Sequence, residues 1–260
     1  MNRLIPVISI LLLFILQGCV VHMPASESVI WHDNQNEEET DPYGVETFLQ
    51  VPVAGTSISY SAMILPQGIR DKIRRQNGDD LQPGEEIVFK NMFLPGNFMP
   101  SVAFPLTNRS ALGVNINPFY PGLDGTFHLF GDNWLTTTFQ FPVYNGIDFE
   151  WILQRPVIRV NHGGLSAGIF YRKERIAYYI DDDGTEAPGL FELVPNTFRS
   201  DWFGARLAGQ FPDMSQTRRM KFHFHAGYNP DYRSALFMFG IGITFRPNPG
   251  PSYVDPVRYW

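Results

Sequence analysis

The stretch SALFMFGIGITF, residues 234–245, alternates between two kinds of side chain along its whole length. In an extended chain one face would carry Ala235, Phe237, Phe239, Ile241, Ile243 and Phe245. The other face would carry Ser234, Leu236, Met238, Gly240, Gly242 and Thr244. Apolar residues at every second position are the signature of a β-strand with one face against an apolar phase. The stretch therefore predicts a β-strand.

The same period of two recurs through most of the chain beyond residue 110. The predicted strands are 110–118, 125–131, 134–142, 148–160, 164–179, 198–211, 219–228 and 234–245. Turn-forming residues such as Asn145-Gly146 and Asn229-Pro230-Asp231 separate most of them. The pattern predicts an all-β fold, namely an antiparallel up-and-down β-barrel of about eight strands, with ten as the alternative. An N-terminal signal helix and an extended tether would precede it.

The composition fits a β-protein that meets an apolar phase. Aromatic residues make up 15% of the chain and charged residues 18%, below the ~25% of charged residues in an average protein. The net charge is −6, and no basic stripe is present, which argues against a nucleic-acid partner. No Walker loop, dinucleotide fingerprint or HExxH motif occurs, and no cofactor is predicted.

Alternation alone leaves two architectures open. In a soluble β-sandwich or lipocalin-like carrier the apolar face points inward, whereas in a membrane barrel it points out to lipid. The second face mixes small polar residues with single charges such as Arg206, which suits a narrow polar lumen. Aromatic residues gather near the strand ends, where interfacial girdles would need them. They are Phe119, Tyr120, Trp134, Tyr144, Phe149, Tyr178, Tyr179, Trp202, Tyr228, Tyr232 and Phe245.

The barrel is therefore favoured, and the direction of Phe237, Phe239, Ile241 and Ile243 decides between the two. The segment from Leu236 to Phe245, with its terminal aromatic residue, resembles the closing strand of outer-membrane β-barrel proteins. That resemblance implies a barrel that closes at this strand. The chain departs from the pattern because it continues through a Pro-rich tail, residues 247–260, which cannot be a central strand.

The first residues, MNRLIPVISILLLFILQGC, have the layout of an export signal, with Arg3 ahead of an apolar run too short to span a membrane. The segment Leu16-Gln17-Gly18-Cys19 resembles the lipobox of Gram-negative bacterial lipoproteins. The resemblance implies cleavage before Cys19, a lipid on its thiol and acylation, palmitate included, of the new N-terminus. Several acyl chains anchor a protein stably. The absence of Asp at position 20 favours the outer membrane by the same resemblance.

Five segments follow from these patterns. Residues 1–18 are the signal peptide, 19–44 a flexible acidic tether, 45–109 a mixed periplasmic segment or extra strands, 110–246 the barrel and 247–260 the tail. Within 45–109, Ser57–Leu65 and Glu86–Leu94 are strand candidates, and Pro95-Gly96 and Pro100 predict a break.

An even strand count puts both ends of the barrel on one side of the membrane. A lipid anchor on Cys19 would place that side in the periplasm. The connections 119–124, 143–147, 180–197 and 229–233 would then face outward, and they include the acidic Asp181–Glu186 loop. Outer-membrane barrels carry their long loops on the outside.

Two pairs of residues are candidates for chemistry. His223 and His225 share one face of a strand and could bind a metal or move protons. His162 precedes Ser166 by four residues and could serve a serine nucleophile. For both pairs a structural role, as lumen residues or as part of a turn, is favoured, so no catalytic residue and no metal site is predicted.

Two charged clusters invite similar hypotheses. Asp181, Asp182, Asp183 and Glu186 could hold Ca²⁺ through oxygens but lack the spacing of an EF-hand. Arg70, Lys72, Arg74 and Arg75 could meet anionic lipid head groups. A solvated surface is the favoured interpretation of both clusters.

These observations favour a non-enzymatic, outer-membrane-anchored lipoprotein with a small β-barrel and a structural or binding role. Its partners would be membrane lipid, through acylated Cys19, and the outer-membrane bilayer. Two other hypotheses stay open. One is a barrel enzyme that modifies membrane lipid, and the other is a lipid-tethered periplasmic β-sandwich or lipocalin-like carrier.

Overall fold

The computed structural model describes residues 23–33, 52–64, 68–69, 71–72, 86–89, 98–107, 109–117, 120–141, 146–160, 163–181, 196–212 and 218–245. No helix within these ranges is long and apolar enough to cross a membrane. The predicted signal peptide, Cys19, His162 and the tail 247–260 lie outside the described residues.

The described elements are one helix and a series of strands. The helix, α1, is Ser26–Asp33. The strands are β1 Val53–Ile64, β2 Glu86–Phe89, β3 Phe98–Thr107, β4 Ser110–Asn115, β5 Gly122–His128, β6 Trp134–Gln140, β7 Asp148–Val160, β8 Gly163–Asp181, β9 Asn196–Pro212, β10 Arg218–Asn229 and β11 Ser234–Phe245.

Ten of these strands form a closed antiparallel barrel. Neighbours in sequence pair from β3 to β11, and β1 closes the ring by pairing with both β3 and β11. The short β2 lies outside the ring and pairs with Tyr178–Asp181 of β8. The predicted all-β barrel is confirmed, and it has ten strands, the alternative to the eight that were favoured.

The two strands beyond the eight predicted from alternation are β1 and β3, which come from residues 45–109. The break expected at Pro100 is wrong, because β3 continues through Pro100 and Pro105. The Pro100 carbonyl accepts a hydrogen bond from the Ile116 amide at 2.8 Å. Pro105 lies where the β3–β4 register shifts, and such irregularities tolerate a residue without an N–H group.

The apolar faces of the strands point outward. Phe237, Phe239, Ile241 and Ile243 are 37%, 44%, 46% and 40% exposed, whereas Met238 between them is 1% exposed. A soluble β-domain would bury those four residues in its core. The direction of the apolar face therefore excludes the β-sandwich and the lipocalin-like carrier with an apolar pocket.

The barrel has two unlike ends. β1 begins and β11 ends at one of them, which we call the terminal end, together with the connections 108–109, 129–133, 161–162 and 213–217. The opposite loop end carries the connections 65–97, 116–121, 141–147, 182–195 and 230–233. Because ten is also an even number, the predicted side of each connection is unchanged.

The aromatic residues divide between the two faces. Phe149, Trp151, Tyr171 and Phe203 form an outward cluster near the loop end, with ring centroids 4.9–6.1 Å apart. Phe211 stacks on Phe222 near the terminal end. Four residues assigned to interfacial girdles are instead buried, so that part of the prediction is wrong. They are Tyr120, Trp134, Trp202 and Tyr232. Trp134 and Trp202 share the inward register of their strands, where large rings fill the lumen.

Candidate functional site in the barrel lumen

The lumen is lined by polar and charged side chains that are almost fully buried. From β5, β7, β8, β9 and β10 the charged members are Asp124, Asp148, Glu150, Arg172, Glu174, Arg206, Arg219 and Lys221. Period-two alternation explains this lining, because each residue lies between two outward neighbours. The expectation that single charges such as Arg206 face a narrow polar lumen is confirmed.

The N-terminal segment, residues 23–33, lies inside the lumen, and we call it the plug segment. Its residues 23–29 are all buried. Ala25 and Val29 belong to an apolar cluster with Val53, Ala103 and Ala111. Val53 begins β1 and Ala111 is the second residue of β4, so the plug segment closes the terminal end.

This placement differs from the flexible tether expected over residues 19–44. An acidic, aperiodic stretch predicts a solvated chain, because the sequence alone offers no partner for its polar groups. The barrel supplies those partners. Residues 23–33 are therefore an internal element of the fold, while the rest of the expected tether lies outside the described residues.

Asp124 of β5 holds the start of α1. Its Oδ2 accepts the Ala25 amide at 3.1 Å, and its Oδ1 accepts the Ser26 amide at 2.7 Å and the Ser26 hydroxyl. The Ser26 hydroxyl also lies 2.8 Å from the hydroxyl of Thr126. A carboxylate at a helix N-terminus satisfies amides that have no partner within the helix. A methyl group added at Gly113 would lie 2.5 Å from the Asp124 oxygens, so glycine leaves the space that Asp124 occupies.

Arg206 of β9 connects the plug segment to the wall. Its Nη2 donates to Glu27 Oε2 at 2.7 Å, its Nε donates to His225 Nε2 at 2.7 Å, and its Nη1 donates to Gln154 Oε1. The Gln154 amide donates to the other Glu27 oxygen at 3.0 Å. The Glu27 carboxylate therefore has a partner at each oxygen, although its residue lies in a helix and its partners lie on two strands.

The network continues toward the loop end. His225 Nδ1 lies 3.2 Å from Glu150 Oε1. Because the Arg206 guanidinium donates to Nε2, Nδ1 is the ring nitrogen that faces the Glu150 carboxylate. Arg172 lies 4.0 Å from Glu150 and 2.6 Å from Glu174. From the plug segment to the part of β8 near the loop end, each of these polar groups thus lies within 4.0 Å of the next.

Buried charge pairs of this kind fix position more than they add stability. Burial of two charges costs several kcal/mol per ion, which their attraction offsets only with good geometry. Removal of one partner leaves a buried charge without compensation. A cavity of about 10 Å³ remains between α1 and the wall, which is space for about one water. The terminal end of the lumen is therefore filled and held in one arrangement.

A second closure lies at the loop end, in the connection between β1 and β3. Ile69 is fully buried there, and the Lys72 ammonium donates to the Tyr232 hydroxyl at 2.7 Å. The ammonium also lies 4.9 Å from the centroid of the Tyr232 ring, which packs edge-on against Phe198. Lys72 is thus not part of a solvated basic surface, while Arg70, Arg74 and Arg75 lie outside the described residues.

The candidate residues for chemistry occupy structural positions where they are described. His223 and His225 are fully buried, with ring centroids 4.8 Å apart. Ser166 donates to Gln154 at 3.1 Å and lies 3.3 Å from the Ala208 carbonyl. Within the described ranges no group of three His, Cys, Asp or Glu side chains could hold a metal. Of the acidic stretch 181–186 only Asp181 is described, as the last residue of β8.

Glu27, Gln154, Asp124 and the Glu150–Arg172–Glu174 group were not singled out from the sequence. For strand residues such as Glu150 and Arg172, a single charge on the polar face of an alternating run could have predicted a position in the lumen. Glu27 carries no such signal, because its own segment has no period.

No protein-family model matches the chain, and no curated protein matches it. Among solved structures, it is similar to the N-terminal β-barrel domain of OprF from Pseudomonas aeruginosa, with 12% identity, 75% of this chain and 98% of that chain covered, and a TM-score of 0.27. It is also similar to Ail, the attachment invasion locus protein of Yersinia pestis, with 10% identity, coverage of 76% and 99%, and a TM-score of 0.30.

A further similarity is to the outer membrane protein AlkL, with 10% identity, coverage of 76% and 90%, and a TM-score of 0.26. Overlaps at this level carry no argument about what this chain does. The architecture rests on its own strand pairing and on the direction of its side chains.

Proposed function

We propose that this protein is an outer-membrane β-barrel lipoprotein, anchored through acylated Cys19 on the periplasmic side, with a non-enzymatic structural or binding role. The observation that carries the proposal is the reversed polarity of the barrel. Large apolar side chains on its strands are exposed, while charged and hydroxyl side chains are buried in the lumen. In lipid this arrangement is stable, because every backbone group of a closed barrel finds a partner within the protein.

The outward face carries an apolar band with charged residues at both of its limits, which supports the proposed position in a membrane. On β9 the outward residues Phe203, Leu207 and Phe211 are apolar, and the charges Arg199 and Asp201 begin beyond Phe203 toward the loop end. At the terminal end the Arg218 guanidinium lies 5.8 Å from the ring centroid of Phe245. Aromatic rings and long cations at the two limits of an apolar band are typical of an outer-membrane barrel.

The plug segment supports the proposed side of the lipid anchor. Cys19 precedes Met23 by four residues, a distance that an extended chain covers in at most ~14 Å. Met23 lies near Gln210 and Lys221, close to the terminal end. A lipid on Cys19 would therefore enter the leaflet that surrounds that end, which is the periplasmic leaflet under this proposal.

The filled lumen favours a closed barrel over an open pore. The plug segment occupies the terminal end, and Ile69 with Lys72 and Tyr232 covers the loop end. We therefore assign the role to the surfaces the barrel presents to lipid and to the exterior, and not to permeation through this conformation.

The test uses the full chain expressed with its own signal in a Gram-negative host. We expect heat-modifiable migration on a gel, resistance to extraction by salt or carbonate, and incorporation of radiolabelled palmitate that Cys19→Ala abolishes. The Cys19→Ala barrel, exported with a cleavable signal, should still resist extraction, because ten strands hold it in the bilayer. Release of that variant by carbonate would contradict the integral barrel and favour a tethered periplasmic protein.

A comparison of membrane lipids tests the hypothesis that the protein is a lipid-modifying enzyme. Membrane lipids from a strain that produces the protein are compared with those from a deletion strain. We expect the same lipid composition in both. A modified lipid that disappears with Ser166→Ala would contradict the non-enzymatic role.

A further inference from the structure

Three cations lie together on the outward face at the loop end. Lys173 and Arg175 are two residues apart on β8, and Arg199 is on the neighbouring β9. The register pairs Arg175 directly with Arg199, and Lys173 directly with Asp201. Inward neighbours of the same strands, such as Arg172 and Ser200, are buried, so the three cations project from the wall and not into the lumen.

The three cations lie next to the apolar band of the outward face, on its loop-end side. Tyr171 is the outward residue next to Lys173 on β8, and Phe203 is the outward residue next to Asp201 on β9. Their ring centroids are 4.9 Å apart. Phe149 and Trp151 complete the aromatic cluster beside them. Aromatic rings of this kind lie at the level of lipid head groups. Lys173 lies one outward position beyond Tyr171, and Arg175 and Arg199 lie two outward positions beyond the rings. The three cations would therefore meet the charged part of the lipid.

Within the described part of the chain the two arginines have no ion-pair partner, although the Asp148 carboxylate accepts a hydrogen bond from the Arg175 amide. Asp201 accepts the Tyr171 hydroxyl at 2.7 Å and lies 3.9 Å from the Lys173 ammonium. Neither Arg175 nor Arg199 forms an ion pair with a carboxylate among the residues that the structure describes. Like charges directly opposite each other on two strands are destabilising. An anion bound by both arginine side chains would remove that cost.

Arg175 is held at this rim by the barrel. Its amide donates to Asp148 Oδ1 at 2.8 Å. Its guanidinium lies against Gly146, where an added methyl group would overlap it. Gly146 has φ +94°, a conformation that glycine adopts without strain. The turn between β6 and β7 is therefore built to leave room for this side chain.

We propose that Arg175 and Arg199, assisted by Lys173, bind phosphate groups of an anionic lipid in the external leaflet. Guanidinium groups bind phosphate through paired hydrogen bonds. The lipid is favoured over free phosphate because the aromatic cluster offers an apolar surface directly below, which acyl chains would cover. The proposal rests on the membrane-embedded barrel of the preceding section.

The test measures lipid binding by the full-length barrel reconstituted in phosphatidylcholine nanodiscs. Bisphosphorylated lipid A is titrated in, and bound lipid is counted by native mass spectrometry. We expect Arg175→Gln/Arg199→Gln to weaken binding about 30-fold, which corresponds to about 1 kcal/mol for each arginine near an anionic surface. Monophosphorylated lipid A should bind more weakly to the unmodified protein and respond less to the double variant.

Arg155→Gln is the matched control, because Arg155 is an exposed arginine on β7 nearer the terminal end. The affinity of this variant for bisphosphorylated lipid A should equal that of the unmodified protein. An inserted double variant that binds as tightly as the unmodified protein would overturn the lipid site alone. If millimolar inorganic phosphate displaced the lipid, the site would bind free phosphate, and the proposal that it recognises a lipid would be wrong. Insertion is scored first by heat-modifiable migration, so failure of the barrel in the membrane is seen before any lipid is added.

Discussion

The two ends of the lumen are closed by different sets of contacts. Each set has an apolar part, with Ala25 and Val29 at the terminal end and Ile69 at the loop end. At the terminal end, charged and polar groups hold the plug segment, with Arg206 bound to Glu27 and Asp124 bound to the start of α1. At the loop end, buried apolar and aromatic side chains dominate, and Lys72 adds one hydrogen bond to Tyr232.

Because their contacts differ, the two closures should respond differently to substitution. A charged contact in a buried site depends on both partners, so one substitution leaves an uncompensated charge. Apolar closure is spread over many weak contacts, each of which contributes little. We therefore expect a single substitution to weaken the closure at the terminal end more than it weakens the closure at the loop end.

The largest effect should come from Arg206→Met. It removes the partner of Glu27 and leaves a buried carboxylate, for which we expect a loss of about 3–5 kcal/mol in the free energy of unfolding. The measurement is urea unfolding of the barrel in lipid, followed by the heat-modifiable fraction on a gel.

The double variant Glu27→Met/Arg206→Met serves as the control for that experiment. It removes both charges, and we expect it to recover most of the loss, since apolar side chains of similar length replace a buried pair at little cost. A double variant that loses as much as the two single variants together would show that the pair does not determine how the plug segment is held.

A smaller effect is expected from Asp124→Ala, which deletes the acceptor of the Ala25 and Ser26 amides. Loss of this charged cap should lower the free energy needed to release the plug segment by about 2 kcal/mol. The measurement uses a Ser28→Cys background, a substitution at a residue that is 2% exposed, and a maleimide applied from the terminal end. We expect labelling to rise about 30-fold.

Thr138→Val is a matched change on the neighbouring β6, where the buried threonine hydroxyl has no hydrogen-bond partner among the described residues. When Thr138→Val is added to the Ser28→Cys background, maleimide labelling should stay as slow as with Ser28→Cys alone. Equal rates with Asp124→Ala and Thr138→Val would mean that Asp124 does not hold α1.

The smallest effect should come from Lys72→Met at the loop end. The variant loses one hydrogen bond and two cation–π contacts, together about 1 kcal/mol, and keeps an apolar stem against the ring. The measurement is the same urea titration used for Arg206→Met. A loss larger than that of Arg206→Met would reverse the comparison and make the loop end the more sensitive closure.

The strands from β4 to β11 could be predicted because each repeats its polarity every two residues. The ring strands β1 and β3 gave weaker signals. The inward residues of β1 are small, such as Ser57 and Ser59, so the polarity contrast is low. Pro100 of β3 suggested a break, but the strand continues through it in regular register with β1.

The candidate site was predicted only in part. The inward direction of Arg206, His223 and His225 followed from alternation, but their partners did not. Arg206 and Glu27 are 179 residues apart in the chain, and no local pattern relates residues at that distance. The buried positions of Trp134 and Trp202 could have been found from their registers, which place both on the polar face.

By itself, the sequence determined the strand period and the polarity of each face, because these depend only on neighbouring residues. Tertiary structure decided three other properties: closure of the ring through β1, the outward direction of Phe237 and Ile241, and the entry of residues 23–33 into the lumen. Each of them depends on contacts between distant parts of the chain. The run at 234–245 could specify two faces, but only the closed ring could determine which of them points outward.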